Sequence, residues 1–191
     1  MNIKQQWRTI QIISVFLLAG VLVVLSGCIV AVIQPDSAVA GQTIVAKVLM
    51  EPDQDVPPDT TYPLCLGVRL PYGWHVIGNP TYSGGPTGTL TYDPYVTSDL
   101  DTQLGVISNT LWWGGSGPEE YWTPEVTVTA IITIQTSITA SGTYTLDYVA
   151  GSYEVADEND PSTRQYYWDE VVSKSIAMLD NVVYLSVILN E

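Results

Sequence analysis

The sequence has few cysteines and few basic residues, and both shortages restrict what the protein does. Its 191 residues include 6 Lys and Arg against 20 Asp and Glu, which gives a formal net charge of −14. Such a chain repels nucleic acids electrostatically, so we expect no nucleic-acid partner. The two cysteines, Cys28 and Cys65, form no zinc-binding motif, and neither a phosphate-cradling glycine loop nor a nucleophile elbow is present. These absences predict a protein that is not an enzyme.

Phenylalanine is scarce too, since Phe16 is the only one in the chain. Every aromatic residue after residue 27 is therefore Trp or Tyr, and each of these rings carries a hydrogen-bonding group. Rings of this kind suit half-exposed positions and interfaces. The composition thus favours a protein with an aromatic, partly polar surface.

The amino-terminal segment has the three regions of a secretory signal peptide. Lys4 and Arg8 precede an apolar stretch at residues 10–25, and small residues follow it. The segment ends in Leu25-Ser26-Gly27-Cys28, which resembles the lipobox of bacterial lipoproteins. That resemblance implies cleavage before Cys28 and acylation of its sulfur and its new amino group.

Lipidation at Cys28 has an alternative, because residues 10–33 are also long enough to cross a bilayer as an uncleaved helix, which takes ~20 residues. Both readings place the rest of the chain on the extracytoplasmic side of a membrane, since the basic residues come first. Cleavage removes two of the six basic residues and no acid, so the mature charge is 4 − 20 = −16. We therefore predict a signal peptide at 1–27, a lipidated tether at 28–35 and one domain at 36–191.

The domain at 36–191 has the pattern of an all-β protein. Apolar and β-branched runs alternate with clusters of Gly, Pro, Asn and Asp, and helical periodicity is nearly absent. Cys65 lies in one of the apolar runs and is expected to be a small core residue, not a nucleophile paired with His75. Eight to ten short strands in one domain predict an antiparallel β-sandwich. The strands are predicted at residues 31–34, 42–50, 64–70, 74–77, 89–92, 104–113, 125–136, 143–149, 171–178 and 182–189.

The segment Ser141-Gly-Thr-Tyr-Thr-Leu-Asp-Tyr148 resembles the entry into strand F of immunoglobulin-like domains. The resemblance gives Tyr144 the role of the tyrosine corner, whose hydroxyl hydrogen-bonds to upstream backbone. The disulfide cysteine of antibody domains would fall at Leu146, so the chain departs from that pattern. Residues 38–44 likewise resemble the turn into strand B, and Trp74 is expected in the core. The resemblance predicts an immunoglobulin-like sandwich.

The segment 111–123 is the candidate ligand-binding site. Trp112 and Trp113 precede a predicted Gly-rich loop at 114–118, and Glu119, Glu120, Tyr121 and Trp122 follow it. Neighbouring residues on a strand point to opposite faces, so one of the two Trp rings is expected to be exposed. Exposed rings beside carboxylates are suited to stacking on sugars and binding their hydroxyls. The alternative is that these aromatics close the end of the sandwich.

Two other acidic patterns are weaker candidates. Adjacent carboxylates at Glu119 and Glu120 do not face each other across a glycosidic bond, so a glycosidase is not expected. The run Asp157-Glu158-Asn159-Asp160 before Pro161 resembles the calcium-binding linker of cadherins, with Asp99 and Asp101 as further contributors. Calcium needs six to eight oxygens, so the alternative is a solvated loop and no cofactor.

The lipobox and the immunoglobulin-like strand pattern together predict a lipid-anchored, cell-envelope module with a structural or adhesive role. Its expected partners are the membrane, through the anchor, and a surface polysaccharide or another envelope protein. A carbohydrate-binding lipoprotein is the alternative.

Overall fold

Two β-sheets packed face to face form the fold in the computed structural model, which describes residues 29–51, 61–85, 87–121, 127–155 and 160–179. Across these ranges, sheet A contains six strands and sheet B seven. Sheet A has the order β1 (Ile29–Ile33), β3 (Thr43–Met50), β10 (Val128–Gln135), β6 (Thr81–Ser83), β7 (Gly88–Thr89), and β5 (His75–Val76) also pairs with β10. Sheet B has the order β2 (Ser37–Val39), β13 (Val172–Leu179), β11 (Gly142–Val155), β4 (Thr61–Pro71), β9 (Thr110–Tyr121), β8 (Thr91–Tyr92), and β12 (Arg164–Trp168) pairs with β11.

This strand order is that of an immunoglobulin-like domain. The sequence β1-β3-β10-β6 corresponds to strands A, B, E and D of such a domain, and β13-β11-β4-β9 to G, F, C and an added C′. The first strand is divided between the sheets, because β1 pairs with β3 while β2 pairs with β13 in parallel. The predicted all-β, immunoglobulin-like fold is therefore confirmed, and β11 and β3 are the strands that the resemblance assigned to F and B.

The core between the sheets follows from period-two alternation along the strands. On β3, Ile44, Ala46, Val48 and Met50 are buried, while the residues between them are exposed or partly exposed. The buried residues of β10 are spaced in the same way and pair with those of β3 in register. The same alternation along β4 brings Leu64, Leu66, Val68 and Leu70 into the core.

Tyr144 and Trp74 lie where the immunoglobulin resemblance placed them. The hydroxyl oxygen of Tyr144 accepts a hydrogen bond from the backbone N–H of Ser141 at 3.4 Å. Trp74 is buried, and its ring centroid is 5.3 Å from that of Tyr144. Leu146 is fully buried at the position of the antibody cysteine. Aliphatic packing therefore replaces the disulfide at this point of the core.

The predicted tether at residues 28–35 is wrong for Ile29–Ile33. These residues form the edge strand β1, which is hydrogen-bonded to β3 with a bulge between Ile29 and Ala31. Ile29 and Val32 are buried in the core, and burial of such side chains contributes roughly 1.5–3 kcal/mol each. The sandwich therefore begins one residue after Cys28, because an apolar strand gains more from the core than from water.

Within the described ranges, one segment is an α-helix, α1 (Pro94–Leu104). It lies between the predicted strands at 89–92 and 104–113 and overlaps the second of them only at Leu104. Asp93 caps its first turn by accepting from the backbone N–H of Tyr95 at 2.9 Å, and Pro94 occupies the first helical position. Val96 and Leu100, four residues apart, are its buried residues. They pack on the outer face of sheet B and make a second core, which includes Cys65, Trp112 and Val149.

The predicted Gly-rich loop at residues 114–118 is wrong, because these residues belong to β9, which runs without a turn from Thr110 to Tyr121. A Cβ atom on Gly114 would lie 2.6 Å from Val96 Cγ1, so glycine is what lets α1 approach the strand. A Cβ on Gly115 would lie 2.4 Å from the ring of Trp113. Glycines here make room for a helix on one face and for a ring on the other.

Among the described residues there is no helix long and apolar enough to cross a bilayer. The predicted strand at residues 182–189 and the predicted signal peptide at 1–27 lie outside the described residues.

Candidate functional site

The candidate ligand-binding residues are polar and aromatic side chains on the outer face of sheet B. Trp112 lies on this face under the end of α1 and is only 6% exposed. Its indole N–H donates to the carbonyl of Gly105 at 3.4 Å, and the guanidinium of Arg69 lies 4.4 Å from its ring centroid. Trp112 is therefore a packing residue, and its predicted contact with a ligand is wrong because the ring is covered.

Trp113 points to the other face of β9, as strand geometry requires. Its ring packs against the core between the sheets and is partly buried, so neither of the paired Trp rings is fully exposed. Glu119 is six residues further along the same strand, which places it about 20 Å from Trp113 at ~3.3 Å per residue. The predicted pocket, with rings facing each other across a short loop, is therefore not formed by these residues.

The remaining predicted residues of the aromatic site are described in part or not at all. Glu119, Glu120 and Tyr121 belong to the backbone of β9, where they pair with β4, but their side chains lie outside the described part of the structure. Trp122 lies outside the described residues altogether. What the structure does establish is that residues 112–121 belong to one strand of sheet B, which lies between β4 and β8 and has a bulge where residues 116–119 pair with 63–65.

Asp93 is the centre of a polar cluster on this face that no local sequence pattern predicted. One carboxylate oxygen caps α1, and the other accepts from the Ser116 hydroxyl at 3.0 Å and from Arg164 at 2.6 Å. The Asp93 and Arg164 side chains are only 11% and 18% exposed. Asp93 therefore joins α1 and the neighbouring strand β9 to β12, whose Arg164 is 71 residues away in the sequence.

Arg164 is held by aromatic rings as well as by Asp93. Its guanidinium lies 4.3 Å from the ring centroid of Tyr153 and 6.0 Å from that of Tyr95. Such cation–π contacts add roughly 0.5–2 kcal/mol each, depending on desolvation. Tyr166 packs edge-on against Tyr153, and burial raises its pKa to about 12. Within this cluster, the Asp93 carboxylate is thus engaged by the helix cap, by Ser116 and by Arg164.

A second ion pair fixes the other end of α1. The Arg69 guanidinium forms an ion pair with Asp147 at 3.1 Å and donates to the carbonyl of Leu104, the last helical residue, at 3.2 Å. A cation at this end complements the negative pole of the helix. Both pairs therefore attach α1 to sheet B, one at each end.

Cys65 and His75 do not form a catalytic pair. Cys65 is fully buried beneath α1, and burial, followed by the negative charge of Asp93, raises the pKa of its thiol well above the usual value. His75 is exposed on β5 of sheet A, on the other side of the sandwich. The thiol stays protonated at neutral pH, and the prediction that Cys65 is a core residue is confirmed.

The predicted calcium site is described only at Asp160, since residues 157–159 lie outside the described residues. The Asp160 carboxylate accepts from the Ser162 hydroxyl at 2.6 Å and from its backbone N–H at 3.0 Å, and these bonds lower its pKa. Asp99 accepts from the indole of Trp168 at 2.7 Å. Within the described ranges, no group of three or more His, Cys, Asp or Glu residues is placed to hold a metal ion.

Comparison with known proteins gives likenesses in structure alone. No protein-family model matches the chain, and no curated protein matches it in sequence. AvmM, which catalyses macrocyclisation in alchivemycin A biosynthesis, is 13% identical with a TM-score of 0.45, covering 78% of this chain and 87% of its own. The collagen-binding domain of a Staphylococcus aureus adhesin is 6% identical with a TM-score of 0.37, covering 76% and 96%.

The backbone protein of the group B streptococcus pilus 2b is 10% identical with a TM-score of 0.41, and the match covers 78% of this chain and 56% of that protein. Each of these TM-scores is below 0.5. The similarities therefore carry no inference about the activity or the partners of this chain.

Proposed function

We propose that this protein is a lipid-anchored module on the extracytoplasmic side of the cell envelope, with a structural or adhesive role and no catalytic activity. The observation that carries the proposal is the position of the lipobox cysteine. Cys28 directly precedes Ile29, the first residue of the edge strand β1. Acyl chains on Cys28 would therefore be joined to the sandwich across a single peptide bond.

The non-catalytic role is supported by how the reactive groups are used. The carboxylates of Asp93 and Asp147 neutralise the two arginines that fix α1. The Asp99 carboxylate holds the indole of Trp168, and the one thiol of the mature domain is buried and protonated. These groups stabilise a rigid scaffold, as a structural or adhesive module requires.

The anchor is strong enough to be stable only if more than one chain is attached. A single acyl chain gives marginal, reversible membrane binding, whereas two or three hold a protein firmly at ~0.8 kcal/mol per buried CH₂. The lipobox resemblance implies such multiple acylation of Cys28. The partner in this proposal is thus the membrane itself, together with a surface polysaccharide or another envelope protein.

Metabolic labelling with palmitate tests the anchor. Cys28→Ser should abolish labelling and leave the uncleaved precursor. Cys65→Ser is the matched control, because it removes the only other thiol, which is buried, and should leave labelling intact. Label that persists in Cys28→Ser, or an intact mass that starts at Met1 without acylation, would support an uncleaved helix instead.

Carbohydrate binding is the second candidate, and the observation that favours it is the partly exposed ring of Trp113 on β9. Trp113→Ala should weaken retention in polysaccharide affinity gels and also lower thermal stability, because its ring packs against the core. Trp122→Ala should weaken retention without a large loss of thermal stability. Unchanged retention, or unfolding of both variants, would count against this candidate.

A further inference from the structure

Sheet A differs from the rest of the molecule in its charge. The chain has 20 acidic residues, yet none of the residues in β1, β3, β5, β6, β7 and β10 is Asp or Glu. The single Lys or Arg of these six strands is Lys47. The acids of α1 and β11, which include Asp99, Asp101 and Asp147, lie instead on the sheet B side. The strands of sheet A that the structure describes are therefore free of acid, and Glu51 follows the end of β3.

The outer face of sheet A is aliphatic as well as acid-free. Ile33, Lys47 and Ile131 are direct neighbours across three strands, and Leu49 is two residues from Lys47 on the same face. Val45 lies on the other side of Lys47, opposite Thr133. Ile33 is 57% exposed, Val45 45% and Ile131 38%. Sheet B covers its own outer face with α1, whereas these side chains of sheet A are open to solvent.

We propose that the aliphatic face, defined as Ile33, Val45, Lys47, Leu49 and Ile131, docks on the phospholipid bilayer that holds the anchor. The inference rests on the proposed lipidation of Cys28. Strands rise ~3.3 Å per residue and lie ~4.8 Å apart, so Ile33 is about 17 Å from Cys28 along β1, and Lys47 and Ile131 lie about 5 and 10 Å to its side. Acyl chains on Cys28 would therefore hold the face within about 20–25 Å of the membrane.

Charge selects the bilayer over a second copy of the chain as the occupant. If two copies paired through the five side chains of this face, Lys47 would meet aliphatic side chains with no acid among them. A phospholipid headgroup provides a phosphate for the ammonium group, while Ile33, Val45 and Ile131 enter the boundary of the acyl chains. Docking in this orientation also turns the acidic sheet B side away from anionic headgroups.

The two lysines of the mature chain provide the test. Lys47 lies in the aliphatic face, and Lys174 is exposed on β13 of sheet B. The full-length lipidated protein is placed in vesicles of phosphatidylcholine with a minor fraction of phosphatidylglycerol. It is treated briefly with an amine-acylating reagent, and the modification of each lysine is measured by peptide mass spectrometry. Lys47 should react about tenfold more slowly than Lys174, because protection follows the fraction of docked molecules.

Matched substitutions show whether the protection comes from the aliphatic face. Val45→Asp/Ile131→Asp should raise the reactivity of Lys47 to that of Lys174. Val106→Asp/Ile107→Asp introduces the same charges at exposed positions after α1 and should leave Lys47 protected. Val45→Thr/Ile131→Thr keeps the β-branched shape and should give a partial loss. Val45→Thr/Ile131→Thr is used in place of Val45→Asp/Ile131→Asp if the Asp variant fails to fold.

Equal reactivity of the two lysines in vesicles would overturn the proposal. So would protection that appears only at high protein-to-lipid ratios, since it would identify a second copy as the occupant. The intact mass of the same sample reports acylation of Cys28 separately. A lipidated protein with a reactive Lys47 refutes docking alone, whereas an unlipidated protein refutes the anchor on which docking depends.

Discussion

Replacing Gly114 with alanine tests the contact between α1 and β9. An added Cβ would lie 2.6 Å from Val96 Cγ1 and 2.8 Å from the backbone nitrogen of Thr97. Carbon atoms pack favourably at about 3.5–4.0 Å, so α1 would have to move by roughly 1 Å. Overpacking of this kind costs ~1–3 kcal/mol, while Gly→Ala recovers only ~0.4–1 kcal/mol from the unfolded chain. The clash is larger, so we expect a net loss of about 1–2 kcal/mol.

Urea unfolding followed by Trp fluorescence measures this loss as a lower midpoint at an unchanged slope. The melting temperature should fall by roughly 2–4 °C for each kcal/mol. Gly117→Ala is the control on the same strand, because its Cβ would meet only the side chain of Tyr82, at 3.2 Å. It should change stability by less than about 0.5 kcal/mol.

A third variant tests which contact is responsible. Val96→Ala removes the Cγ1 atom nearest to the added Cβ, so the pair Gly114→Ala/Val96→Ala should lose less than the sum of the two single changes. If residues 114–118 formed a free loop, Gly114→Ala would be neutral or stabilising. A variant as stable as the wild type would refute the packing of α1 on this strand.

Three further predictions concern other contacts. Asp93→Asn keeps an acceptor for the helix cap but removes the charge that faces Arg164. The free energy of unfolding, measured by urea titration, should therefore fall by ~1.5–3 kcal/mol. An unchanged midpoint would contradict the ion pair. Tyr144→Phe removes the hydrogen bond from Ser141 and should lower the free energy of unfolding by about 1 kcal/mol in the same assay. An unchanged free energy of unfolding would mean that this hydrogen bond does not stabilise the fold. The pKa of Tyr166 is about 12 in the folded protein and 10 in the unfolded chain, so between these values the folded state keeps a proton that the unfolded state loses. The free energy of unfolding should therefore fall as the pH rises from about 10 to 12. Tyr166→Phe should flatten this fall.

Local sequence was sufficient to predict the strands of the main core. Along β3 and β10 each second residue is aliphatic, and this alternation alone fixes which side chains face inward. The tyrosine corner was equally predictable, because Gly142 and Tyr144 stand two residues apart at the start of one strand. Both signals depend on neighbours along the chain.

The helix and the polar cluster could not be predicted in this way. Only Val96 and Leu100 of α1 are buried, which is too few for a helical pattern. The glycines that accept the helix, Gly67 and Gly114, lie on two other strands and signal a turn when they are read locally. Asp93 and Arg164 are 71 residues apart, and nothing near either residue marks the other as its partner.

The divided first strand determines how the domain bears mechanical load. β2 and β13 run in parallel, with Ser37 opposite Ala177 and Val39 opposite Leu179. A pull between Ile29, in β1, and Leu179, at the end of β13, slides β2 and β13 past each other. All the hydrogen bonds that join these two strands are then strained together and do not open one at a time as in peeling. A domain loaded between these two points therefore resists extension.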